Sequence, residues 1–126
     1  MTLETRAFGT QGEAEAVRFL KRRGYRIVDR NVRLRRGEID LIAYDGDVLV
    51  FIEVKARRSL RFGGTPWAVD LRKQERLSRL AVQYLARQRL RDCLCRFDLV
   101  LIQGATDRGI EIELIQNAFE ARGVLQ

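Results

Sequence analysis

The chain of 126 residues has no histidine, one proline and two cysteines. Without histidine, Ser-His-Asp and Cys-His catalysis, His-ligated zinc and every imidazole acid–base step are excluded. Cys93 and Cys95 alone cannot complete a four-ligand zinc site and read as ordinary reduced thiols near a strand start. Any metal must therefore be held by oxygen, which points to Mg2+ or Mn2+. No apolar run approaches the roughly 20 residues of a membrane helix, and residues 1–11 lack the apolar core of a signal peptide. A cytoplasmic location with no membrane partner is the expectation.

What the chain does carry is positive charge. Its 24 Lys and Arg against 17 Asp and Glu leave a formal charge of +7, mostly from arginine. Such a surplus favours an anionic partner, nucleic acid first, and arginine suits phosphate forks better than lysine does. The competing explanation is a set of solvated basic surfaces.

Residues 1–9 read as a loose lead-in and 10–126 as a single domain with a core of its own. A helix is expected from Thr10 to about Arg23, with Ala16, Val17 and Leu20 as its buried stripe and Gly24 at its stop. Glu13 heads that stripe. It is either a site carboxylate or the far end of a Thr10-x-x-Glu13 capping box. Strands follow over 25–32, 38–44 and 47–56, with Arg33, Arg35 and Arg36 as a basic connector. A basic loop fills 57–65. A second helix, N-capped by Thr65 with Pro66 at its first position, runs to about Arg89. Leu77, Leu80, Ala81, Tyr84 and Leu85 form its buried stripe. Two more strands are expected over 95–103 and 110–116, joined by a turn at 107–109. The expected architecture is α/β, an αβββαβ core with an added fifth strand, its sheet flanked by helices.

The segment GEIDLIAYDGDVLVFIEVKAR, residues 37–57, sets charges in strands built for burial, and such charges need a structural or chemical reason. Asp45-Gly46 predicts a two-residue hairpin turn. The period of two then puts Asp40, Glu53 and Lys55 on one face, with Asp40 opposite Phe51 and diagonal to Glu53. Ile39, Leu41 and Ala43 fall on the other face, and Glu38 falls at the rim. Two carboxylates about 6 Å apart repel by roughly 3 kcal/mol at an effective dielectric near 20. A divalent cation removes that repulsion, activates water and stabilises charge on a phosphate, with Lys55 positioned to assist. The alternative is a salt-bridge cluster of Asp40, Glu53, Lys55 and Arg57. Lys73 lies on the sheet-facing edge of the second helix, either as a phosphate contact or as a snorkelling side chain.

The pattern Asp40…Glu53-x-Lys55 after an acidic helix resembles the PD-(D/E)xK nuclease superfamily, although Ile39 stands where that motif has proline. More narrowly, GEIDLI at 37–42, FIEVKAR at 51–57, CRFDLV at 95–100 and QNAF at 116–119 resemble the YraN-type bacterial family, related to archaeal Holliday-junction resolvases. The resemblance implies a restriction-endonuclease-like core with a mixed sheet of five strands. It implies Asp40 and Glu53 as metal ligands, Glu13 as a further acid, direct or through water, and Lys55 as the catalytic lysine. Lys73, Arg57, Arg36 and Arg72 are the expected nucleic-acid contacts. The implied activity is metal-dependent cleavage of DNA, with branched DNA as a candidate and a homodimer if two strands are cut. The rival readings are a nucleic-acid-binding module without turnover and a protein partner of a DNA-processing complex.

Overall fold

A computed structural model describes residues 3–57, 70–106 and 109–121, with side chains for 12–56, 70–103 and 109–121. The elements in chain order are α1 (Leu3–Arg22), β1 (Arg26–Leu34), β2 (Gly37–Asp45), β3 (Val48–Arg57), α2 (Leu71–Arg87), β4 (Cys95–Thr106) and β5 (Gly109–Ile115). The strands form one sheet in the order β1-β2-β3-β4-β5. All neighbours are antiparallel except β3 and β4, which run parallel and are joined through α2. This is a restriction-endonuclease-like α/β core with a mixed sheet between two helices. Among the described residues no helix is long and apolar enough to cross a membrane.

Each helix covers one sheet face with the stripe its spacing predicts. Ala16, Val17 and Leu20 of α1 pack with Leu41, Ala43, Val50, Ile52, Val100 and Ile102. Leu77, Leu80, Ala81 and Tyr84 of α2 pack with Ile42, Leu49, Phe51 and Phe97. Phe51 contributes most to this second layer, standing edge-on to Tyr84 at 5.9 Å and tilted against Phe97 at 5.7 Å. Fully burying a side chain of this size contributes about 1.5–3 kcal/mol. A valine or leucine there would also lose the ring pairs.

Five expectations are corrected. First, α1 begins at Leu3 rather than Thr10, so Thr10 is inside the helix and cannot cap it. The capping-box account of Glu13 falls with it. Second, α2 begins at Leu71 with Asp70 as its N-cap, whose carboxylate accepts from the Lys73 N–H at 2.8 Å. An extended Asp with a side-chain oxygen over an orphan helical N–H is a strong start signal. The Thr65-Pro66 start, the loop over 57–65 beyond Arg57 and the Asp107-Arg108 half of the last turn lie outside the described residues.

Third, the β2–β3 turn residues are Gly46 and Asp47, because Asp45 pairs with Val48. Gly46 takes φ +62° while Asp47 keeps a negative φ, the pattern of a turn with glycine at its first central position rather than of type I′. The register moves by two residues, so every side chain keeps its expected face up to Leu41. Fourth, strict alternation fails at Ile39, which packs with Val32 in the α2 layer while Leu41 and Ala43 pack in the α1 layer. Val32 and Ile39 are direct partners. The break coincides with Asn31, whose φ of 49° interrupts the pleat of β1. The connector also shrinks. Residues through Leu34 belong to β1, and Arg35-Arg36 alone make the turn, with Arg36 at φ 67°.

Candidate metal and catalytic centre

The centre lies where β2 and β3 part. The paired register ends at Leu41 opposite Ile52, and the next pair in that series would be Asp40 with Glu53. In place of a ladder bond there, the Asp40 carboxylate Oδ2 accepts the backbone N–H of Val54 at 2.8 Å. The side chain thus takes over a donor that the departing strand leaves behind. It also fixes Asp40 in the seam between the strands.

Charge surrounds this seam. The Asp40 carboxyl is pushed up to about 7, first by burial, then by the neighbouring Glu53 carboxylate and more weakly by Glu13 and Glu38. The Val54 N–H works against that rise and does not cancel it. Four carboxylates from three elements therefore act on one another. Glu13 reaches the group because Gly12 lets α1 close on β3. A Cβ at Gly12 would stand 3.3 Å from the Ala56 Cβ and 3.4 Å from Ile102 Cδ1. A mid-helix glycine costs roughly 1 kcal/mol relative to alanine, and close helix–strand approach is what it permits here.

Two cationic or polar groups bind into the cluster. Lys73, in the first turn of α2, places Nζ 2.6 Å from Glu53 Oε1, and both side chains are largely shielded from solvent. With its amide nitrogen facing the acids, Asn31 donates to Glu13 Oε2 and Glu38 Oε1, each at 3.2 Å. Asn31 was absent from the predicted set. Its signal was an asparagine in the middle of a strand, a residue type depleted there and tolerant of positive φ.

Of the predicted site residues, Asp40, Glu53, Glu13 and Lys73 come together. Lys55 lies two residues beyond Glu53 on β3, opposite Leu101 of β4, and is half-buried. The side chain of Arg57 lies outside the described residues. Arg36 is in the β1–β2 turn and Arg72 in the first turn of α2, and both are exposed. Glu38 is exposed, as a rim residue should be.

Among the described residues no three carboxylate or thiol groups converge closely enough to cage an ion. The donor set still suits a hard divalent cation. It is oxygen only, it is crowded with like charge, and its central carboxyl is driven towards protonation by burial and by the carboxylates around it. Asp40 and Glu53 are the residues that would hold such a cation, with Glu13 behind them.

Comparison with known sequences places the chain. The profile described as "Uncharacterised protein family UPF0102" matches residues 12–102, which span α1 from Gly12 to most of β4 and include every carboxylate of the centre. A UPF0102 protein of Symbiobacterium thermophilum is 53% identical over 93% of this chain and 99% of its own. UPF0102 proteins of Caldicellulosiruptor saccharolyticus, 43% identical over 93% and 100%, and of Acetivibrio thermocellus, 48% identical over 90% and 92%, are similar throughout. With the fold, the motif segments and near full-length relatives in agreement, the chain belongs to the uncharacterised protein family UPF0102.

Proposed function

We infer that the protein is a divalent-metal-dependent nuclease that hydrolyses phosphodiester bonds in DNA. The observation that carries this reading is Asp40. An aspartate where β2 and β3 part, held by a backbone N–H at 2.8 Å yet raised to about 7 by burial and by Glu53, Glu13 and Glu38, is costly to fold around and useful for binding a cation. A bound divalent ion supplies Lewis acidity towards the phosphate and its water nucleophile. The chain's own residues do the rest. Asp40 and Glu53 orient the ion, Lys55 offsets negative charge developing on the phosphate, and Lys73 holds Glu53 in place.

The test is cleavage of end-labelled four-way junction, flap, duplex and single-stranded DNA with Mg2+ or Mn2+. Cutting is expected in wild type and is expected to fall at least a hundredfold in Asp40→Asn and Lys55→Ala with binding retained. Cutting that survives both changes would assign it to a contaminant. A second reading is favoured by one contact, the Lys73 ammonium already seated on Glu53. There a fixed cation replaces the metal and the protein binds nucleic acid without turnover. Titration calorimetry separates the two, since only the first expects Mn2+ to bind and Asp40→Asn to abolish that binding.

A further inference from the structure

A second charged feature lies apart from the carboxylates. Arg35 and Arg36, in the β1–β2 turn, face Arg76 and Arg79 of α2 across a groove of about 340 Å3 floored by Leu80 and flanked by Gln83. All four arginines are exposed. Among the described residues no carboxylate lines the groove, and none of the four arginines forms an ion pair with an acid. Four guanidinium groups gathered without counter-ions repel one another, so something must hold them together.

The framework does so through neutral contacts. The Arg35 N–H donates to Gln83 Oε1 at 2.9 Å, and Gln83 Nε2 returns a bond to the Arg35 carbonyl at 3.3 Å. One turn further along α2, the Arg87 guanidinium donates to the Arg33 carbonyl at 2.9 Å. The turn and the helix are thereby clamped at fixed spacing, while the side chains of Arg35, Arg36, Arg76 and Arg79 stay available to solvent.

The groove is also in line with the proposed centre. Lys73, Arg76 and Arg79 follow one another at three-residue steps, each beside the one before it, and all three line one depression along α2 together with Asp70, Arg72 and Glu75. At 1.5 Å of rise per residue, Arg79 stands about 9 Å along the axis from Lys73. That equals the axial rise of two to three base pairs of a duplex, at about 3.4 Å each. Lys73 itself touches Glu53.

We propose that Arg35, Arg36, Arg76 and Arg79 form a phosphate-backbone clamp that grips a nucleic-acid strand two to three nucleotides from the phosphate at the Asp40–Glu53 centre. The clamp reads charge and spacing and no base, since it presents only arginine forks over an apolar floor. It rests on the nucleic-acid reading of the centre but makes a claim about binding alone.

The test is fluorescence anisotropy of a labelled 20-base-pair DNA duplex in EDTA, so that no cutting intervenes, over a series of salt concentrations. The comparison is wild type against the combined Arg35→Gln, Arg36→Asn, Arg76→Gln, Arg79→Gln variant, with thermal melting to check its fold. Asparagine at 36 tolerates the positive φ. A control carries Lys21→Gln, Arg22→Gln, Arg30→Gln and Arg91→Gln, the same charge change at other exposed positions. The clamp variant is expected to lose at least tenfold in affinity near 0.1 M salt and to lower the slope of log affinity against log salt by about 2, at about 0.9 per phosphate contact. The control is expected to stay within about twofold. Equal losses in both variants, or none in a folded clamp variant, would overturn the proposal. So would poly-L-glutamate competing as well as DNA per charge, because the groove would then take an acidic peptide. The two readings fail separately. A clamp variant that binds like wild type while wild type cuts DNA removes the clamp alone, and lost binding in a protein that never cuts with any metal removes the nuclease alone.

Discussion

Asp98 and Asp40 are both aspartates inside strands of the same sheet, and the fold supplies them with opposite surroundings. Asp98, in β4, is 2% exposed. Its Oδ1 accepts from Arg96 Nε at 2.8 Å and the Asn117 N–H at 2.9 Å, and its Oδ2 from the Tyr25 hydroxyl at 2.6 Å and Arg96 at 2.9 Å. Arg96 also reaches Asp45 at 2.8 Å, and Gln116 donates to the Tyr25 hydroxyl at 2.9 Å. Burial and the bond to Asp98 push the Tyr25 phenol up to about 12, so it stays a donor. Asp40, in β2, receives one backbone donor and faces three other carboxylates. The first aspartate is a solved electrostatic problem that ties the α1–β1 connection, β2, β4 and the segment after β5 together. The second is an unsolved one at the open end of a hairpin. A buried charge with full partners reads as architecture, and one left short of partners reads as a place awaiting a ligand.

The strongest way to break this contrast is to make Asp98 resemble Asp40. Arg96→Leu removes its cationic partner Arg96 and leaves the carboxylate buried. Stranding one member of such a pair costs about 3–5 kcal/mol, a large fraction of the 5–15 kcal/mol a domain of this size holds. Urea denaturation is expected to show that loss at neutral pH. A loss below about 1 kcal/mol would mean that Tyr25 and Asn117 suffice, and the contrast would rest on hydrogen bonds rather than charge.

The reverse experiment relieves Asp40. Its folded-state value near 7 lies above its ordinary 3.8, so the folded protein holds a proton that the unfolded chain has released. Stability therefore falls as pH climbs from about 4 to 7, and the full penalty stands above 7. The distance between these two values bounds that penalty at roughly 4 kcal/mol. Asp40→Asn keeps an acceptor for Val54 and deletes the charge. In metal-free buffer at pH 8 it is expected to stabilise the protein by about 1–3 kcal/mol, with the gain vanishing near pH 4. Mn2+ should raise the melting temperature of wild type and leave the variant unmoved. A variant less stable than wild type at pH 8 would mark Asp40 as architectural like Asp98.

The two aspartates also differ in how far the sequence revealed them. Asp40 was legible because its neighbourhood is local. Glu53 and Lys55 lie on the adjoining strand, and the period of two survives a register error of two, which is the error the misplaced turn produced. Every partner moved by two, Ile42 meeting Phe51 instead of Leu49 and Tyr44 meeting Leu49 instead of Asp47, and that brings Glu53 nearer to Asp40 rather than removing it. Asp98 was not legible as a hub, since its partners come from Tyr25, Arg96, Asn117 and, through Arg96, Asp45. No periodicity links those positions. The bend at Asn31 was hidden for a related reason, because a single residue at φ 49° leaves no repeating pattern. The start of α1 was misread because Thr10 looks like a cap locally although the helix already runs through it from Leu3, and the Asp70 cap of α2 was passed over for an earlier local signal.

The smallest effect concerns Lys73, the nearest thing the Asp40 centre has to an Arg96. Its ammonium meets Glu53 at 2.6 Å with side-chain exposures of 26% and 12%. It is a single point charge on a flexible stem, where Arg96 brings a planar fork to two carboxylates. Half-shielded and single, it should contribute about 1 kcal/mol, above an exposed pair and well below a buried network. Lys73→Met keeps the apolar stem and removes the charge, so apo stability at pH 8 is expected to fall by about that amount. The same change frees Glu53, and a cation competing for that oxygen should gain. Mn2+ is expected to bind several-fold more tightly to Lys73→Met than to wild type by calorimetry, even where the variant is the less stable protein. Weaker Mn2+ binding would instead show that Lys73 positions Glu53 for the metal. Equal binding would place the cation on Asp40 without Glu53, which would confine the comparison to one carboxylate rather than a pair.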